Sequence, residues 1–169
     1  MSEEIFDVVN ANDEVIGRDT RSRVHALGLM HRAVHVLVFN SRGEIFLQKR
    51  SMNKDRMPGR WDSSASGHLN AGEEYDACAV RELREEIGLT PAVAPARLFK
   101  LPASPDTDQE HVWVYRCEAE GPFHLDQDEI ERGHWFSPEE VTRWTREQPD
   151  DFAAGFVAIW NRCLAAKSG

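Results

Sequence analysis

Cysteine is scarce in this sequence. Only Cys78, Cys117 and Cys163 occur, widely spaced and with no CxxC. That pattern offers neither a disulfide framework nor a zinc site, and it fits free thiols in a reducing compartment. Long apolar runs are missing too. The longest are strand-length, such as Val36–Phe39, whereas a bilayer span needs roughly 20 residues. The opening segment MSEEIFDVVN is acidic and lacks the basic and apolar regions of a leader. The expectation is a cytoplasmic protein with no membrane partner. Positive charge is also short, with 20 Lys and Arg against 29 Asp and Glu and a formal charge of −9. Such a chain has no electrostatic reason to hold duplex nucleic acid, although a local basic patch can still bind a small anion. No repeat or biased tract points to a solenoid or to disorder.

What is present suits one globular domain. The chain has 169 residues, 41% of them hydrophobic, and no obvious linker. We expect a single domain over 1–169, with residues 1–30 as an extension packing on a core of residues 31–169. Ile5–Val9 and Val15–Arg18 flank a cluster of turn formers and read as a hairpin. Thr20–Leu27 reads as a short helix capped at Asp19 or Thr20. Ala33–Phe39 and Glu44–Lys49 read as strands joined by a turn at Asn40–Gly43. A polar, basic loop follows over Arg50–Arg60, then one strand over Trp61–Ser66. Residues 73–87 carry Val80, Leu83 and Ile87 at helical spacing, with Gly88 and Pro91 as stop signals. Further strands are expected at Leu98–Leu101, His111–Cys117 and Gly133–Phe136. Ser137-Pro138-Glu139-Glu140 opens a helix with a capping box, and a last helix runs over Asp151–Ala166. Hairpins mixed with helices predict an α+β fold, a mixed sheet covered by helices on both sides.

Residues 73–87 carry the chemistry. On a helix, Glu82, Glu85 and Glu86 occupy i, i+3 and i+4 and cluster beside the apolar face. Each close pair of like charges disfavours the helix by roughly 0.2–0.5 kcal/mol. A divalent cation would offset that repulsion, and a hard ion such as Mg²⁺ prefers oxygen ligands. Taken alone, the three glutamates could equally be a solvated acidic face.

The surrounding residues change that balance. Gly67, then Glu73, then Arg81-Glu82-Leu83-x-Glu85-Glu86-x-Gly88-Leu89 stand at the spacing of the Nudix box. The chain therefore resembles the Nudix hydrolases. The resemblance implies a mixed sheet sandwiched between helices, a Mg²⁺ cofactor with Mn²⁺ as a substitute, and a small-molecule diphosphate as partner. It implies that Glu82, Glu85 and Glu86 bind metal, joined by a backbone carbonyl near Ser66. Arg81 and Glu73 resemble the pair that ties helix to loop. Gly67 resembles the glycine where strand gives way to loop, and Gly88 fits the helix terminus. Metals would neutralise the diphosphate and lower the pKa of a bound water, and a glutamate would accept its proton. Glu85 is the first candidate for that base, with Arg81 and Glu82 beside it. Glu110, Asp128 and Glu129, on later segments, stay open as alternatives.

The likeness extends further, to type 1 isopentenyl-diphosphate isomerases and the Nudix hydrolases most similar to them. It is carried by the stretch from His31 to Asn40, by Leu47-Gln-Lys-Arg-Ser, by Lys54, and by Pro58-Gly-Arg-Trp-Asp62. It implies a second metal site from His31, His68, Asp108 and Glu110, with His25 one residue out of register. It also implies phosphate binding by Arg50 and Lys54. Three residues depart from the isomerases. Ser66 stands where they need a cysteine, Glu82 where they have arginine, and Glu85 where they have a tyrosine-like position. A hydroxyl is a poor substitute for a thiol in moving a proton. The expectation is a diphosphate hydrolase, with an isomerase or a non-catalytic diphosphate-binding module as alternatives. Nucleoside diphosphates and triphosphates, dinucleotides, nucleotide sugars and prenyl diphosphates all stay open as substrates. Trp113, Trp135 and Phe123 are candidates for stacking a base or for ordinary packing. The oligomeric state is not legible, and a homodimer is compatible with the sequence.

Overall fold

The structure is a computed structural model that describes residues 3–168. Met1, Ser2 and Gly169, at the ends of the expected domain, lie outside the described residues. The elements run β1 (Ile5–Val9), β2 (Val15–Thr20), α1 (Arg21–Leu27), β3 (His31–Phe39), β4 (Ile45–Arg50), β5 (Trp61–Asp62), β6 (Ala65–His68), α2 (Tyr75–Ile87), β7 (Ala96–Leu101), β8 (Glu110–Glu118), β9 (Ile130–Phe136), α3 (Pro138–Glu147) and α4 (Ala154–Ser168). Short 3₁₀ turns cover Pro105–Thr107 and Pro149–Asp151.

A mixed sheet forms the centre. Its main path is β5-β4-β3-β8-β7, with β9 on β4 and β6 on β3. β3 and β8 run parallel and the other pairs antiparallel. The two central strands, β3 and β8, bury most of their side chains, as strands covered on both faces do. On one face, Leu83 and Ile87 of α2 pack with Val34, Val36 and Tyr115. On the other, Val141 of α3 and Phe156 and Ile159 of α4 pack with Leu37, Leu47 and Val114. This is the expected sandwich.

The stretch Trp61–Ser66 differs from the expected single strand. It forms two short strands that pair with different partners. Trp61 and Asp62 pair with β4, whereas Ala65–His68 pairs with Val36–Ala33 of β3. β4 joins β3 only at Val38 and Phe39. The sheet therefore splays between β4 and β3, and Ser63–Ser64 cross the gap. Ser64 Oγ repairs the interrupted ladder: it accepts from Val38 N–H at 2.8 Å and donates to the Phe46 carbonyl. The final helix begins at Ala154 rather than Asp151, because Pro149 opens a separate turn.

The hairpin of β1 and β2 lies outside the main sheet and is fastened to it. Ala71 N–H donates to the Ile5 carbonyl, and Val9 N–H to the Met30 carbonyl. At the turn, Asp13 accepts from Arg32 Nε at 2.7 Å, Tyr75 Oη at 2.7 Å and Lys100 Nζ at 2.5 Å. One carboxylate so joins the hairpin to β3, α2 and β7. No disulfide links the three cysteines, and Cys78 and Cys117 are buried. No helix among the described residues is long and apolar enough to cross a membrane.

Candidate active site

α2 is held by both its ends. Gly88 takes the left-handed conformation (φ 67°) that closes the helix, and a Cβ there would lie 2.9 Å from His124 Cβ. Before the helix, Glu73 accepts from Asn70 N–H at 3.0 Å and from Arg81 Nε at 2.8 Å and Nη2 at 2.9 Å. Arg81 also reaches the His68 carbonyl at 3.1 Å, so loop, strand β6 and helix meet on one guanidinium.

The three glutamates share one side of α2 but not one environment. Glu82 and Glu86 are buried, while Glu85 is exposed. Glu86 points into the splay of the sheet. It accepts from Ser66 N–H at 2.9 Å and from Gln48 Nε2 at 3.0 Å. Glu82 lies over Gly67, where a Cβ would stand 2.2 Å from its Cδ. Gly67 is thus not at the strand's end, as the resemblance implied, but inside β6 opposite Val34. Its value is the space it leaves for Glu82. Arg81 Nη1 bonds Glu82 at 2.8 Å and Glu85 at 3.0 Å, which partly answers the repulsion expected from the sequence. Burial still pushes the Glu82 carboxyl up to about 7 against the pull of Arg81. Burial, followed by the charge of Glu82, pushes Glu86 well above the usual carboxylate range. Two carboxylates crowded out of water next to each other fit a bound hard cation.

A second cluster forms at the other side of β6. His25 from α1, His31 from β3 and His68 from β6 bring their ligand nitrogens within 4.8 Å of one another. Glu110 Oε2 lies 2.6 Å from His68 Nε2 and 3.5 Å from His31 Nε2. Burial opposes it, yet the two rings hold the Glu110 carboxyl far below its usual range. His31 Nδ1 stands 2.9 Å from the Leu29 carbonyl, which can only accept. In the neutral ring the proton therefore sits on Nδ1, and Nε2 offers its lone pair to the cluster. The Nε2 atoms of His25 and His31 are buried with no hydrogen-bond partner among the described residues. Such orphaned nitrogens are rare unless a ligand satisfies them. Burial and the neighbouring His68 and His31 rings push His25 down to about 4, which favours its neutral, ligating form. Three imidazoles and a carboxylate suit a transition metal better than Mg²⁺. Phe6 of the hairpin packs against all three rings, stacked on His31 at 5.6 Å.

The carboxylates of α2 line a cleft of about 590 Å³, and the histidine cluster reaches it through His68 and Glu110. Arg50, the last residue of β4, lines it with Lys54 and Arg56 from the loop before β5. Each cation holds an acid. Arg50 reaches Asp62 at 3.3 Å, Lys54 pairs with Glu129, and Arg56 forks onto Asp108. Asp108 and the next residue, Gln109, both adopt left-handed backbone (φ 56° and 62°), an uncommon state for such residues that costs on the order of 1–3 kcal/mol each.

The structure thus gathers Ser66, Gly67, His68, Arg81, Glu82, Glu85, Glu86, Asp108, Glu110, Arg50 and Lys54 around one cleft. His25, one residue out of register in the sequence, joins the cluster because α1 and the turn at Gly28 deliver it from outside the sheet. Of the alternative bases, Glu129 lines the cleft and Asp128 does not. Glu110 is engaged by histidines. Trp113, Trp135 and Phe123 do not line the cleft either. Trp135 and Phe123 pack edgewise and obliquely around Phe46, and Trp113 lies under Arg97. Sequence reasoning passed over Gln48 and the pairing of Arg56 with Asp108. Gln48 lies in the strand expected over Glu44–Lys49, and it is buried and reaches both Glu86 and the Ser64 carbonyl.

The fold and this pair of clusters define a Nudix-type site. The NUDIX domain family matches residues 29–156, and the chain belongs to that family. It is 35% identical over 165 residues to the Nudix hydrolase YfcD of Salmonella typhi, covering 94% of this chain and 85% of that protein. It is 31% identical over 160 residues to an isopentenyl-diphosphate Delta-isomerase of Serratia proteamaculans, covering 93% and 89%. Among solved structures it resembles DR0079 from Deinococcus radiodurans, with a TM-score of 0.84, 27% identity, and coverage of 95% of this chain and 99% of that one.

Proposed function

We propose that this protein is a Mg²⁺-dependent hydrolase of a diphosphate linkage in a small substrate, of nucleoside diphosphate type or related to it. The observation that carries the reading is the burial of Glu82 over Gly67, held by Arg81, together with Glu86 on Ser66 N–H. Family membership supports the hydrolytic class.

A hard cation on Glu82, Glu85 and Glu86 supplies charge neutralisation and an acidified water, and Mn²⁺ is a natural substitute. The chain's own residues do the rest. Glu86 is oriented by Ser66 N–H and Gln48, so it keeps one geometry. Glu85 is exposed and tethered only to Arg81, so it is free to take a proton from water. Glu129 is the second candidate for that base, once Lys54 leaves it. Arg50 and Lys54 hold phosphate oxygens in this reading, exchanging their ion pairs with Asp62 and Glu129 for substrate. His25, His31, His68 and Glu110 form the second metal site, with Asp108 within reach.

The same histidine cluster, together with the Serratia relative, favours isomerase chemistry as the second reading. Ser66, Glu82 and Glu85 weigh against it, because the site lacks a thiol and keeps its full carboxylate set. A panel of diphosphates with Mg²⁺, with both products identified, separates the two. The hydrolase predicts phosphate or a monophosphate as product. Double-bond migration in isopentenyl diphosphate without phosphate release would overturn it.

A further inference from the structure

The Arg56–Asp108 pair stands where the cationic loop of the cleft meets the histidine cluster. Arg56 Nε donates to Asp108 Oδ2 at 2.9 Å, and Nη2 donates to Oδ1. Both carboxylate oxygens are so occupied. The same Oδ2 lies 4.0 Å from His25 Nε2, a buried nitrogen with no hydrogen-bond partner among the described residues.

The two partners are held very differently. Asp108 is fixed by its backbone. Its N–H donates to the Pro105 carbonyl, the next N–H to the Ser104 carbonyl, and the Gln109 carbonyl receives His31 N–H from β3. Arg56 sits on a loop, its side chain 39% exposed. Its own carbonyl accepts from Arg50 Nε at 3.1 Å and Nη2 at 2.8 Å. Arg50 is the cation placed for phosphate, so a turn of Arg50 toward an oxyanion gives up the backbone of Arg56 and loosens it.

We propose that Arg56 is a movable positioning cation that covers Asp108 in the free protein, turns to a substrate phosphate on binding, and so hands Asp108 to the metal at the histidine cluster. The proposal rests on reading that cluster as a metal site and the cleft as a phosphate site. Its chemistry is an exchange of like for like. A guanidinium is permanently charged and forks onto a carboxylate or a phosphate with the same geometry. The exchange leaves no charge unpaired: Arg56 gains the phosphate, and Asp108 gains the cation beside His25. Oxyanion binding and metal binding are then linked, each tightening the other by the same factor.

The test uses the full chain, Co²⁺ alone as the metal, and sulfate as a weakly chelating oxyanion at constant ionic strength. Affinity is read by calorimetry, and the coordination by the visible bands of nitrogen-bound Co²⁺. In the wild type, sulfate should tighten Co²⁺ by about five-fold or more. Arg56→Met should bind Co²⁺ more tightly without sulfate and gain little from it. In an Asp108→Asn background, Arg56→Met should change nothing, which a mere removal of positive charge would not produce. Equal effects of Arg56→Met in both backgrounds, or none in either, would overturn the proposal and leave the metal reading standing. A Co²⁺ titration indifferent to His25→Ala and His31→Ala would overturn the metal reading, and the proposal with it. Circular dichroism confirms that each variant is folded.

Discussion

Gly67 shows how much a single missing atom decides here. The Glu82 carboxylate occupies the volume that a Cβ would take. Gly67→Ala should therefore push Glu82 aside, which a flexible side chain does at small cost to the fold. We expect the Mg²⁺ concentration for half-maximal activity to rise about ten-fold or more, while Tm moves by only a few degrees. A large fall in Tm with unchanged Mg²⁺ response would mean that Gly67 serves packing alone. Lys54→Ala should raise KM about ten-fold with little change in kcat, since it removes one charged contact to a bound phosphate. Unchanged KM would remove Lys54 from the site. At this scale the sequence was informative wherever chemistry required a residue type at a spacing, as for Glu82, Glu85 and Glu86. It was silent on Gln48 and on the partner of Arg56. Their roles depend on which segments the fold sets opposite them, the Ser63–Ser64 crossing and α2 for one and the Asp108 turn for the other.

Among the elements, α2 was legible because apolar residues and carboxylates each kept a helical period, and Gly88 ended it. The break between β5 and β6 was not. Ser63 and Ser64 neither stop a strand nor prolong one, and only the splay between β4 and β3 explains them. The hairpin was legible as a hairpin, but not its attachment. Asp13 read as a turn former, which accounts for its type without hinting at Arg32, Tyr75 and Lys100. Asp13→Asn should cost about 1–3 kcal/mol in urea unfolding. The Asp13 carboxyl is held below its usual range, since the hydrogen bonds from Lys100, Arg32 and Tyr75 outweigh burial. Its stabilisation is then complete above the ordinary value of 3.8 and fades as pH falls through the lower, folded value. The gap between wild type and variant should close in acid; a gap that widened there would contradict this account. Because Phe6 backs all three histidines, loosening the hairpin should also weaken the second cluster.

For the molecule as a whole, two clusters of different chemistry meet at one cleft: oxygen donors on α2 line it, and imidazoles gathered from α1, β3 and β6 reach it through His68. The family match begins at residue 29, so His25 and the hairpin come from outside it. The folded arrangement brings His25 of the N-terminal segment against His31 and His68. Metal analysis of the purified protein should find about one transition-metal ion per chain, lost in His31→Ala and retained when Mg²⁺ is exchanged. Retention of that ion in His31→Ala would place it elsewhere. The central claim is that the buried glutamates of α2 carry diphosphate cleavage. Its most direct test is Mg²⁺-dependent release of phosphate or monophosphate from the best diphosphate substrate by Glu86→Gln, beside a wild type of equal helicity. The account predicts a loss of at least about 100-fold in kcat. Near-native turnover in that variant would contradict it.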